Sequence, residues 1–221
     1  MKRHPRQAER INAIVPLNVL KKSKARLSPM LKPIEREQLT VAMLKDVLFA
    51  LRRSKRIRSV TVVSADKNAR SICRSFGANF LWEGKRRGLN KGLKLAIGNS
   101  ERRGASSVLV IHSDLPLLKL REIDEFLEQS QGYSVSLTPS KDGAGTNALF
   151  MRPPRVIRPV FGRDSFRRHL TLAMKSNARS RVLRFRGISF DVDKPRDLVD
   201  LMRRPLQNET GKVLQTLRKR S

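Results

Sequence analysis

Five stretches of this chain carry residue types that handle phosphates and cations, and each borders an apolar run. In Asn18-Val-Leu-Lys-Lys-Ser-Lys-Ala-Arg-Leu27, the cations Lys21, Lys22, Lys24 and Arg26 fall within six residues, a density suited to a polyphosphate. The stretch holds no glycine and no GxxxxGK[ST] pattern, so it is not a Walker A loop. A merely solvated basic loop has the same composition. His112-Ser-Asp114-Leu-Pro places a carboxylate just past the most apolar run, where an Mg²⁺ ligand and a turn-capping aspartate are both at home. His112 packs or hydrogen-bonds beside that carboxylate and is not taken as a ligand.

In Asp142-Gly-Ala-Gly-Thr-Asn147, two glycines let backbone amides approach an anion, and Thr146 adds a hydroxyl. Asp-Gly equally marks an ordinary hairpin turn. Phe161-Gly162-Arg-Asp-Ser165 opens a helical pattern, which suits either a bound anion or a plain N-cap by Asp164 or Ser165. Phe190-Asp191-Val-Asp193-Lys-Pro195 sets two carboxylates on one side of a strand. They repel unless a cation, Mg²⁺ or a Lys/Arg side chain, lies near them.

These stretches need elements that bring them together. Residues 11–17 read as a first buried strand. From Pro33 a helix repeats Leu39, Met43, Leu44, Val47, Leu48 and Leu51 at three- and four-residue steps. Pro33 suits its first turn, and Glu35 and Glu37 suit its positive end. A strand over 59–64 ends at Asp66, read as the N-cap of a helix through Phe76 that Gly77 closes. Further strands are expected over 78–82, 107–112, 133–138, 147–151 and 188–192, with 182–185 extended. Further helices are expected over 89–97, 120–129, 165–174, 196–203 and 211–220. The run over 107–112 is continuously apolar, as a central parallel strand requires. Strand–helix alternation predicts a three-layer α/β domain with a mostly parallel sheet, whose ligands lie beyond the carboxyl ends of the strands. Residues 1–10 read as a basic extension, 11–204 as the domain and 205–221 as a basic tail with a terminal helix.

Composition narrows the function classes. The 221 residues include 48 Lys plus Arg against 19 Asp plus Glu, a net charge of +29. Nucleic acid is the first partner such a charge suggests. The cations are spread along the whole chain, however, and aromatics are only 5 %, whereas a strand-binding module interleaves aromatics for stacking. A positive field that gathers small phosphorylated substrates accounts for the charge as well. Cys73 is alone, which excludes a disulfide framework and a cysteine zinc cluster. The three histidines form no HExxH, and no apolar run reaches a membrane-spanning length. The charged start, Met1-Lys-Arg-His-Pro, is not a signal peptide, so a soluble cytoplasmic protein is expected, with a homodimer left open.

Taken in order, the segments resemble the 2-phospho-L-lactate guanylyltransferase family and its bacterial phosphoenolpyruvate guanylyltransferase members. The resemblance runs from residue 11 to 202. It rests on Val15-Pro16, Ser23-Lys24-Ala-Arg26-Leu27, Ala42-Met43-Leu44-Lys-Asp46-Val47-Leu48 and Gly88-Leu89-Asn90. It continues through Asp114-Leu-Pro-Leu-Leu118, Gly143-Ala-Gly-Thr146-Asn147-Ala148-Leu149, Phe161-Gly162-Arg-Asp-Ser165-Phe and Asp191-Val-Asp193-Lys-Pro195.

The resemblance implies a Rossmann-like, nucleotide-diphospho-sugar transferase-like nucleotidyltransferase of the molybdenum-cofactor-guanylyltransferase group. It would transfer GMP from GTP to 2-phospho-L-lactate or phosphoenolpyruvate, with Mg²⁺, in making coenzyme F-420. Lys24 and Arg26 would contact the GTP phosphates and Asn90 would help seat the nucleotide. Asp114, with Asp191 or Asp193, would hold Mg²⁺, and Thr146, Gly162 and Ser165 would bind the phosphorylated acid. Where the family usually has Lys in the first loop this chain has Asn18, leaving Lys21 or Lys22 as substitutes. One rival is a molybdenum cofactor guanylyltransferase, but its glycine-rich first loop is absent between Pro16 and Leu27. The other is a nucleic-acid-binding protein that has lost catalysis.

Overall fold

Seven strands pair into one sheet: β1 (Ile11–Leu17), β2 (Ile57–Ser64), β3 (Asn79–Trp82), β4 (Ser107–Ile111), β5 (Val135–Pro139), β6 (Thr146–Met151) and β7 (Ser180–Val182). The computed structural model describes residues 9–84 and 88–219, and in it the strand order is β3-β2-β1-β4-β6-β5-β7. Four pairings are parallel, and the two made by β6, with β4 and β5, are antiparallel. The reversed β6 has a consequence for function. It puts the 140–145 hairpin at the same edge as the loops that leave β1 and β4, which is the carboxyl edge of the parallel strands.

Period-two alternation sorts the side chains of the central strands into two layers. Val15, Leu109, Ile111 and Phe150 face Leu44, Leu48 and Leu51 of α1 (Pro33–Arg53) and Phe126 of α4 (Leu120–Gln129). Ile14, Val108, Val110 and Leu149 face Leu93 and Ile97 of α3 (Leu89–Arg102) and Ala173 of α5 (Ser165–Lys175). Each such buried leucine contributes roughly 1.5–3 kcal/mol relative to exposure. At the start of α1, Lys32 N–H donates to Glu35 Oε2 at 2.7 Å, so Glu35 meets the helix end where its charge is favoured.

Two local expectations are revised, and the expected terminal helix is found packed on α1. Asp66 does not cap α2 (Ala69–Ser75): Asn68 holds the N-cap position, while Asp66 accepts from Asn68 N–H (3.0 Å) and, across the loop, from Leu20 N–H (2.9 Å). Residues 188–192 are not a strand. Gly187 lies in the helical turn α6 (Arg186–Ser189), where its N–H donates to Glu122 Oε1 at 2.7 Å and a Cβ would overlap Leu117 O. The chain then runs extended past Asp191 and Asp193 into α7 (Pro195–Met202). Residues 205–221, set apart above as a tail, include α8 (Glu209–Arg218), which packs on α1. Leu214 and Leu217 join Leu27, Leu39, Met43, Val192 and Leu198 in a third apolar cluster. Asp46 of α1 accepts from Glu209 N–H (2.9 Å) and Thr210 N–H (3.0 Å) at the start of α8.

Candidate active site

The loop after β1 makes two short 3-10 turns, Leu20–Lys22 and Ala25–Leu27, with Ser23 and Lys24 between them. Leu20 and Leu27 are buried, and Ser23 Oγ bonds both Leu20 O (2.6 Å) and Thr40 Oγ1 (2.9 Å). So pinned, Lys24 takes a left-handed backbone conformation, φ 53°, that costs a residue with a Cβ about 1–2 kcal/mol. Its ammonium donates to Asp114 Oδ2 and, at 2.8 Å, to Asp193 Oδ1. The two aspartates meet because Val192 N–H donates to Asp114 O at 3.3 Å, laying the 190–193 segment along the loop after β4.

Electrostatics at this cluster are set by burial and proximity. The Lys24 side chain is 8 % exposed. Burial lowers its pKa, but the charges of Asp114 and Asp193 outweigh that and hold it well above the ordinary lysine value. Burial likewise opposes ionisation of Asp114, yet Lys24, with a smaller contribution from His112, keeps its carboxyl below the usual range. Asp191 is pushed up, by burial first and then by the charge of Asp114; Asn147 Nδ2–H, donating to Asp191 Oδ1 at 3.0 Å, opposes this. Asp114 Oδ1 is buried without a hydrogen-bond partner, 3.9 Å from His112 Nδ1. Among the described residues no three His, Cys, Asp or Glu side chains already converge as a cage.

Two cavities adjoin the cluster. One, of about 210 Å³, lies between the β1 loop and the start of α3 and is lined by Asn18, Ser23, Lys24, Glu83, Gly92 and Asp114. The other, of about 710 Å³, lies over the 140–145 hairpin and the start of α5, with Thr146, Gly162, Ser165, Asp191 and Arg26 in its wall. His112, Leu89 and Asp193 line both.

Thr146 and Ser165 are buried at the base of the second cavity, with Ser165 Oγ donating to Thr146 Oγ1 at 3.3 Å. Gly162 sits at the exposed turn above them with φ 116°, a value that L side chains rarely adopt. Asp164 stands at the N-cap of α5 but makes no capping bond, and Phe166 N–H is satisfied by Ala144 O at 3.1 Å. The capping reading of Asp164 therefore fails; the hairpin backbone takes up part of that role. Asp142 accepts from Ser140 Oγ (2.8 Å) and Ala144 N–H (3.2 Å), closing the glycine-rich hairpin.

Arg26 lines the second cavity rather than the first, and with Lys22 and Lys24 it also lines a shallow depression beside Asp193. Asn90, expected to help seat the nucleotide, is bonded through its amide to Phe161. Its Nδ2–H donates to Phe161 O (2.9 Å) and its Oδ1 accepts from Phe161 N–H (2.8 Å), so its amide braces the 161–165 loop.

His169 and Asn147 are the participants that sequence reasoning passed over. His169 Nε2 accepts from Val160 N–H (3.0 Å), which leaves the proton on Nδ1 to donate to Thr146 Oγ1 (3.0 Å). Burial, then Arg168, pushes its pKa down to about 4, so the ring is neutral. The one signal available was its position one helical turn after Ser165, on the same face.

The sheet and the two cavities at its carboxyl edge can be set beside known proteins. Among solved structures the chain is similar to a nucleotide-diphospho-sugar-transferase-like protein from Desulfovibrio desulfuricans G20 (TM-score 0.78, 17 % identity, 96 % of this chain and 98 % of that one). It is also similar to a nucleotidyl transferase from Methanothermobacter (TM-score 0.63, 15 % identity, 94 % and 99 %). The fold is thus nucleotide-diphospho-sugar transferase-like. The sequence profile described as "Guanylyl transferase CofC like" matches residues 11–220, and the chain belongs to that guanylyltransferase family. It is 37 % identical over 189 residues to the phosphoenolpyruvate guanylyltransferase of Sphaerobacter thermophilus (86 % of this chain, 91 % of that one). It is 32 % identical over 208 residues to the 2-phospho-L-lactate guanylyltransferase of Methanobrevibacter smithii (94 % and 91 %). No helix among the described residues is long and apolar enough to cross a membrane.

Proposed function

We propose that this chain transfers GMP from GTP to the phosphate of phosphoenolpyruvate or 2-phospho-L-lactate, releasing pyrophosphate, as a cytoplasmic step in coenzyme F-420 formation. The observation that carries this reading is the shared wall: a carboxylate, Asp193, faces both cavities, so donor and acceptor meet beside it. Both cavities are lined by residues of one copy of the chain.

The acceptor phosphate is already nucleophilic, since its second ionisation lies near pH 6. No side-chain nucleophile is needed. What the protein must overcome is the repulsion between two anions. Lys24 in the nucleotide cavity and Arg26 beside Asp193 supply positive charge to the triphosphate and the departing pyrophosphate. Lys22, in the same depression as Arg26, stands in for the lysine that Asn18 replaces. The Gly162 turn receives the acceptor, and Thr146 and Ser165 form the base that orients it toward the α-phosphorus. Asn90 serves this arrangement through Phe161.

The residues fit Mg²⁺ held by Asp114 and Asp193, with Asp191 beside them. The donors are all oxygen, Asp114 Oδ1 lacks a partner, and the Lys24 ammonium already marks a cation position between the two carboxylates. Bound there, Mg²⁺ would neutralise triphosphate charge and orient the leaving group.

The test is direct. The purified chain, given GTP, Mg²⁺ and each acid in turn, should release pyrophosphate with at least one of them and not with either omitted. Absence of release with both acids would remove this reading.

A further inference from the structure

Lys24 sits where a cation must sit if Asp114 and Asp193 are to share one small space, and the same lysine lines the cavity meant for the triphosphate. One ammonium cannot serve both places at once. We propose that Lys24 is an internal occupant of the metal seat: it holds Asp114 and Asp193 until the nucleotide offers it phosphate oxygens, so that a divalent ion binds tightly only together with GTP. This rests on the proposed assignment of those two aspartates to the metal.

Three observations support it. The contact is not a fluctuating surface pair: the lysine side chain is 8 % exposed and Asp114 is 16 % exposed, so a charge left there without a partner is heavily penalised. The backbone beneath it is fixed. Ser23 is tied to Leu20 O and Thr40, and Leu20 and Leu27 are buried on either side, so the flexible four-carbon stem can swing while its Cα stays. Finally, Lys24 takes only one oxygen of Asp114; the other, Oδ1, is buried with no hydrogen-bond partner, a ligand atom still free for a metal.

The physical consequence is competition. A divalent ion approaching Asp114 and Asp193 meets a positive charge a hydrogen bond away; Asp193 is half-exposed, but beside the buried Asp114 that repulsion is poorly screened. An ammonium expelled without a new partner is equally unfavourable. A triphosphate in the adjoining cavity relieves both, and coupling of this kind is reciprocal: nucleotide tightens metal, and metal tightens nucleotide.

The experiment uses Mn²⁺ as the probe and needs no turnover. Mn²⁺ is titrated into the full chain without nucleotide, with free ion followed by electron paramagnetic resonance, for the wild type and for Lys24→Met and Lys24→Gln. Folding of each variant is checked by its thermal melt. At least one neutral variant should bind Mn²⁺ at least tenfold more tightly than the wild type while losing turnover, and adding Asp114→Asn should cancel the gain. If both folded variants bind Mn²⁺ no better than the wild type, the occupancy idea is wrong. The metal assignment itself still stands in that case if Asp114→Asn alone abolishes Mn²⁺ binding in the presence of a non-hydrolysable GTP analogue. Tighter binding that survives Asp114→Asn would sink the assignment and the inference together.

Discussion

A hydroxyl at the base of a cavity matters when the ligand's oxygens have few other donors to meet. Ser165 Oγ donates to Thr146 Oγ1, and His169 Nδ1–H donates to the same oxygen. With both acceptor positions of that oxygen used, the Thr146 proton would be the one left to donate to the acid proposed for this cavity. Ser165→Ala removes one member of this set without opening a large void. Steady-state kinetics should show the KM for the acid raised about tenfold, about 1.4 kcal/mol, with the KM for GTP within about a factor of two. An equal rise in both would contradict the acceptor role. At this scale, Asp114 and the Asp191/Asp193 pair were legible because charge at a strand end or beside a proline is conspicuous in one dimension. His169 was not, since a buried neutral imidazole and a surface histidine are spelled alike.

Between elements, the informative contact is Asn90. It sits at the start of α3, next to Leu89, which lines both cavities, and grips both the N–H and the C=O of Phe161 as a neighbouring strand would. The 160–165 loop is therefore held from two sides: by Asn90 at Phe161 and by His169 at Val160. Asn90→Ala leaves two backbone groups unpaired and frees the Gly162 turn. Its KM for the acid is expected to rise about tenfold, the effect of losing roughly 1–2 kcal/mol of positioning, while its affinity for GTP in equilibrium titration changes little. A selective loss of GTP affinity would return Asn90 to direct nucleotide contact. Helix α1 was readable from its leucine periodicity and from Pro33 at its start. The turn at 186–189 was not, because its cause, the contact of Gly187 with Glu122, spans 65 residues.

For the molecule as a whole, α8 closes the structure. Leu214 is 1 % exposed in the cluster that also contains Leu27, from the loop that carries Lys24, and Val192, between the two aspartates. The C-terminal helix thus packs behind the loops of the candidate site. Leu214→Ala should cost about 2–5 kcal/mol, read as a lowered denaturant midpoint. A loss below about 0.5 kcal/mol would mean that α8 is an accessory. The net charge of +29 also belongs to this scale: spread along the chain, it would favour the approach of the small anions proposed as substrates.

Periodicity and turn chemistry were enough to read an α/β domain, and the resemblance carried by the order of short motifs gave its guanylyltransferase family and the candidate site residues, because those signals act over a few positions along the chain. The reversed β6, the division of labour between the two cavities, the ammonium between Asp114 and Asp193 and the packing of α8 emerged only on folding. Each depends on groups tens of residues apart whose contact is decided by which surfaces bury together, and nothing local in the chain encodes that choice.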